Sequence, residues 1–99
     1  MFKSMIALLG TVTTQPVNQT VTTGQTATFT AAATGSPTPT AQWQVSTDGG
    51  ATYTDIAGAN SATFTLATTT TSQNGYRYRA VFTNILGSAT TIAAILTVL

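Results

Sequence analysis

The stretch Gly24-Gln25-Thr26-Ala27-Thr28-Phe29-Thr30-Ala31-Ala32-Ala33-Thr34-Gly35-Ser36-Pro37-Thr38-Pro39, followed by Trp43, decides the fold. From Thr26 the residues alternate, and an extended chain sends successive side chains to opposite faces. Ala27, Phe29, Ala31 and Ala33 therefore share one face, with threonines on the other. Gly35 to Pro39 interrupts the strand as a turn. Alternation then resumes in Ala41-Gln42-Trp43-Gln44-Val45, with Trp43 and Val45 on one face and Gln42 and Gln44 on the other.

The same period continues outward from this pair. Asp48-Gly49-Gly50 is a turn signal, Tyr53 and Ile56 mark a short strand, and Gly58-Ala59-Asn60 turns again. Ala62, Phe64 and Leu66 share a face, and Asn74-Gly75 precedes a strand with Tyr76, Tyr78, Ala80 and Phe82 on one side. Asn84 to Gly87 is a further turn, and Thr90 to Leu99 reads as the last strand, with Ile92, Ala94, Leu96 and Val98 inward. No segment shows a period of 3.6. Short strands at this spacing predict an all-β, antiparallel sandwich of about seven strands. The expected core holds Phe29, Ala31, Trp43, Phe64, Leu66, Tyr78, Ala80 and Leu96.

Composition narrows the chemistry. The 99 residues include 25 threonines and 15 alanines, charged residues are 5%, and histidine and cysteine are absent. This removes the commonest general base, thiolate nucleophiles, zinc-thiolate sites and disulfides. Asp48 and Asp55 are the only carboxylate side chains, a poor nucleus for calcium, and Lys3, Arg77 and Arg79 are too few for a nucleic-acid surface. We expect no catalytic residue, cofactor or metal, and no stretch long enough to span a membrane.

These residues resemble the immunoglobulin fold, in its I-set-like branch. Its members place a glycine before strand B, a cysteine on B, and a Gly-x-Pro-x-Pro loop before the strand C tryptophan; Gly24, Gly35-Ser36-Pro37-Thr38-Pro39 and Trp43 stand there. Ala31 occupies the first cysteine position. In Asn74 to Asn84, Tyr78 matches the corner tyrosine and Ala80 the second cysteine. Trp43 to Phe64 is short for strands C, C′ and D, which implies that D is reduced or absent. The phrase Trp43-Gln44-Val45-Ser46-Thr47-Asp48-Gly49-Gly50-Ala51-Thr52-Tyr53 is similar to the Thr/Ala-rich immunoglobulin-like modules of bacterial surface and secreted proteins. That resemblance implies a structural or adhesive module at the cell surface or outside the cell.

Two surfaces stand out. Residues 1–10 are apolar on both faces, read either as a leader remnant or as an assembly strand, with residues 11–99 forming the domain. Phe2, Met5, Ile6, Leu8, Leu9, Ile85, Leu86, Ile95 and Leu99 form a candidate assembly surface toward other copies or neighbouring repeats, building a filament or array. Gln42, Gln44, Arg77 and Arg79 form a candidate ligand face. It would serve the alternative, an adhesin or phage-virion module that touches a cell-surface glycan or protein.

Overall fold

The computed structural model describes residues 7–99. It contains ten strands: β1 (Leu8–Thr14), β2 (Gln19–Val21), β3 (Ala27–Thr30), β4 (Ala32–Ser36), β5 (Thr40–Ser46), β6 (Thr54–Asp55), β7 (Thr63–Leu66), β8 (Arg77–Asn84), β9 (Gly87–Thr90) and β10 (Ala94–Val98). A single turn of 3-10 helix spans Thr71–Gln73. One layer pairs β1 with β4 and β3 with β7; the other runs β2-β10-β8-β5-β6, with β9 also on β8. β3 and β4 are two halves of one strand broken at Ala31, and β9 and β10 are two halves of another. β1 and β2 are one edge strand that changes layer at Pro16. Counted that way the ten segments make the expected seven strands. No strand lies between β6 and β7, so D is absent.

The core fills the space between the layers with Ala27, Phe29, Ala31, Ala41, Trp43, Tyr78, Ala80, Phe82, Ala94, Leu96 and Val98, and Phe64 and Leu66 pack against it half-buried. Trp43, Ala31 and Ala80 are fully enclosed. Phe29 stacks on Tyr78 at 5.0 Å and Phe64 on Tyr78 at 5.4 Å between centroids, while Phe64 tilts against Trp43 at 6.1 Å. Burial in this aromatic stack, with Tyr76 nearby, pushes the Tyr78 hydroxyl up to about 12.

Losing D leaves the β6–β7 connection to close that side, and hydrogen bonds hold it there. The Trp43 indole Nε1 donates to the Ser61 carbonyl at 2.7 Å, and the Trp43 amide donates to Ala59 at 2.9 Å. Gln42 Nε2 donates to the Ile56 carbonyl at 2.8 Å, and Asn60 Nδ2 donates to Gln42 Oε1 at 3.0 Å. These bonds, from the Trp43 main chain and from the Trp43 and Gln42 side chains, tie down a connection that has no strand of its own.

One expectation is corrected. Ile92 does not face the core; it is 60% exposed. The last strand breaks at residues 91–93, where Thr91 is drawn inside. Its Oγ1 accepts from the Ala80 amide at 3.0 Å and donates to the Ile92 carbonyl at 2.8 Å. The hydroxyl thus replaces a ladder acceptor, and the following residue turns outward.

The β5–β6 turn is built on Asp48. Its Oδ1 accepts from Ser46 Oγ at 2.7 Å and from the Thr52 amide at 2.9 Å, and Oδ2 accepts from the Thr52 hydroxyl. The Gly50 amide donates to Ser46 Oγ at 2.8 Å, and Gly49 and Gly50 take positive φ of 76° and 94°. The Thr52 and Ser46 donors hold the Asp48 carboxyl down at about 2, from 3.8. A depressed carboxylate contributes stability above its unfolded pKa and loses it as pH falls through the folded value. The melting temperature is therefore expected to fall between pH 4 and pH 2, and Asp48→Asn to flatten that fall while lowering stability at neutral pH. Thermal melts of both chains across this range check it; equal acid sensitivity would contradict it.

Candidate functional site

The two surfaces read from the sequence sit differently in the fold. On the outer face of the β8–β5–β6 sheet, Arg79 Nε donates to Gln44 Oε1 at 2.8 Å, and Gln44 Nε2 donates to Asp55 Oδ1 at 2.8 Å. The Arg79 guanidinium lies 3.7 Å from the centre of the Tyr53 ring. Gln42 is committed to the β6–β7 connection. Arg77 is half-buried beside the Gly50 turn, with its Nε enclosed and unpartnered. Gln42, Gln44, Arg77 and Arg79 are thus adjacent on one face. Three of them are engaged within the chain, and the open face of Tyr53 is covered. Tyr53 and Asp55 complete this ladder; in the sequence Tyr53 read only as part of a short strand, and Asp55 as one of two carboxylates too few to hold calcium.

The apolar set divides. Phe2, Met5 and Ile6 lie outside the described residues. Leu8, Leu9, Ile85 and Leu86 come together at the pole where the described chain enters, exposed by 57%, 56%, 79% and 50%. Asn84 organises this pole: its Nδ2 donates to the Leu8 carbonyl at 2.7 Å and the Pro37 carbonyl at 3.2 Å, and its Oδ1 accepts from the Leu86 amide at 2.9 Å. Gly35 lets β1 and β4 close up here, since a Cβ on it would lie 3.0 Å from the Gly10 Cα and from Pro39. Asn84 was legible in the sequence only as a turn residue. Ile95 is half-buried in β10, and Leu99 lies at the opposite pole, where the Leu99 amide donates to Val21 and the Leu99 carbonyl accepts from Thr23, both at 2.9 Å.

Two layers of antiparallel strands, an enclosed tryptophan between them and a parallel edge pair of β2 and β10 define an immunoglobulin-like module without a disulfide. The chain belongs to the family described as a domain of unknown function (DUF8696), which matches residues 10–99. It is similar to Endoglucanase C of Cellulomonas fimi, 49% identical over 87 residues, which is 88% of this chain. The chain spans only 8% of that relative's length. Among solved structures it resembles a chimeric titin Z1Z2, with TM-score 0.74 and 28% identity over 96% of this chain and 98% of that one. It also resembles tandem Ig repeats of Dlar, with TM-score 0.72 and 25% identity over 93% of this chain and 49% of that one.

Proposed function

We propose that the chain is a non-catalytic, extracellular structural module, arranged in series with other modules or associated with copies of itself. The observation that carries this reading is the path of the chain. Leu8 sits at the pole with the β4–β5 and β8–β9 turns, and Leu99 at the other with Thr23. Tension applied between the two ends loads the parallel β2–β10 pair lengthwise, so its hydrogen bonds must shear together. A domain with this path transmits force as a bead in a string, and the similarity to tandem Ig repeats supports a serial arrangement. The similarity to a small part of an endoglucanase supports an accessory place in a longer extracellular protein, apart from the chemistry. Stretching the full chain by its two ends tests this reading.

The adhesin or virion reading gains less support. Gln44 and Arg79 are already bonded to each other and to Asp55, and a glycan would have to displace those bonds.

A further inference from the structure

We propose that Asn74-Gly75 is a modification site: an asparagine that deamidates through the following glycine nitrogen when β10 leaves the sheet, and that the docked strand keeps closed.

In an Asn-Gly pair the glycine main-chain nitrogen can attack the asparagine Cγ, because no Cβ stands in its way. The N–Cγ bond forms, the Cγ–Nδ2 bond breaks and ammonia leaves, giving a cyclic imide. Water then opens the ring at either carbonyl. One product is aspartate in a normal main chain; in the other, isoaspartate, the main chain runs through the former side chain. Of the chain's four asparagines, Asn74 alone precedes glycine; Gln19, Ser61 and Ile85 follow the others.

The fold uses this pair for two separate reasons. Asn74 takes φ −60° and ψ 128°, Gly75 takes φ 88°, and the Tyr76 amide donates to the Gln73 carbonyl at 3.0 Å. That is a type II turn, which favours glycine at its third position. Asn74 meanwhile extends the β8–β10 ladder past the start of β8. The Leu96 amide donates to the Tyr76 carbonyl at 2.9 Å, and the Gly75 amide to the Leu96 carbonyl at 2.8 Å. The next rung is made by a side chain, with the Val98 amide donating to Asn74 Oδ1 at 2.9 Å.

These rungs hold both reacting groups. The Gly75 N–H is committed to Leu96, and the Asn74 amide is held on Val98. Ring closure also needs the Asn74 ψ turned to negative values, which breaks the turn. Both residues are exposed, so water reaches them and these bonds are the guard. Release of β10 frees the nitrogen, the side-chain amide and the turn in one event. Isoaspartate then lengthens the main chain by a carbon and moves the oxygen that Val98 bonds, so the strand re-docks with a rung missing. Under the load path proposed above, tension would free the site too; that consequence rests on the series reading, while the chemistry and its gate do not.

The test incubates the full chain at mildly alkaline pH, in buffer and in guanidinium chloride, and follows each asparagine by peptide mass spectrometry. Unfolded, the Asn74 peptide is expected to gain about one dalton faster than any other asparagine peptide, with isoaspartate among the products. In the native chain the same gain is expected to be at least ~10-fold slower, because only the open fraction reacts. The purified isoaspartate chain, refolded, should melt about 5–10 °C lower or not refold. Asn74→Asp, which keeps an acceptor for Val98, should melt within ~4 °C of the parent. A native rate within ~10-fold of the unfolded one overturns the gate. An unfolded chain in which another asparagine reacts faster overturns the site, and an isoaspartate chain that melts with the parent overturns its place in the ladder. No arm stretches the chain, so the series reading fails or stands separately.

Discussion

Trp43→Ala is expected to leave the chain at the edge of unfolding. The indole is fully enclosed, and removing an aromatic side chain of this size from a packed core costs about 3–5 kcal/mol. The substitution also strips the Ser61 carbonyl of its donor at 2.7 Å and loosens the segment that stands in for D, although Ser61 is exposed and water takes over as its donor. Domains of this size hold about 5–15 kcal/mol in total. The loss therefore takes most of the stability of a domain at the low end of that range. Trp43→Phe keeps most of the volume but not the Nε1 donor, and is expected to lose about half as much. Urea unfolding followed by circular dichroism measures both, since Trp43 is the chain's only tryptophan and its fluorescence disappears with it. A Trp43→Ala chain within about 1 kcal/mol of the parent would show that the core does not depend on the indole.

The double variant Ala31→Cys/Ala80→Cys is expected to give the largest gain. Both alanines are fully enclosed, one on each layer, with the β5 partner of Ala80 being Trp43 itself. They stand where the resemblance places the disulfide of the fold. A bridge between them would close a loop of about 50 residues, which restricts the unfolded chain by about 4 kcal/mol. In a domain of this size that shifts the melting midpoint by roughly 15–30 °C, less any strain of fitting two sulfurs where two methyls now pack. Melts under oxidising and reducing conditions check it, because the gain must vanish on reduction. A variant that oxidises yet melts no higher would mean that the alanine packing already does what the bridge would do.

Much of this arrangement was legible in single residues. The alternation through Ala27, Phe29, Trp43, Tyr78 and Ala80 places every one of them in the core, because a period of two leaves one choice of face per strand. The structure shows D absent, and that it is reduced or absent was legible from the short span between Trp43 and Phe64. The breaks were not. A strand reading continued through Thr91 puts Ile92 inside, and only the threonine hydroxyl's capture of the Ala80 amide turns it out. That substitution of side chain for backbone leaves no mark in a hydrophobic pattern. The same holds for the surfaces. Arg79 and Gln44 were placed on one face by alternation, yet their bond to each other and the Tyr53 ring beneath Arg79 depend on how β6 folds back. Ile85 and Leu86 lie more than seventy residues from Leu8, and Asn84 joins them through a contact no local spacing announces.

Single-molecule extension of the full chain, held at its two ends, tests the load path from Leu8 to Leu99. The expected trace shows one cooperative rupture that releases ~300 Å of chain at once, the extended length of the folded residues. Gradual lengthening at low force, or a series of small steps that peel β10 from β2 one pair at a time, would contradict it.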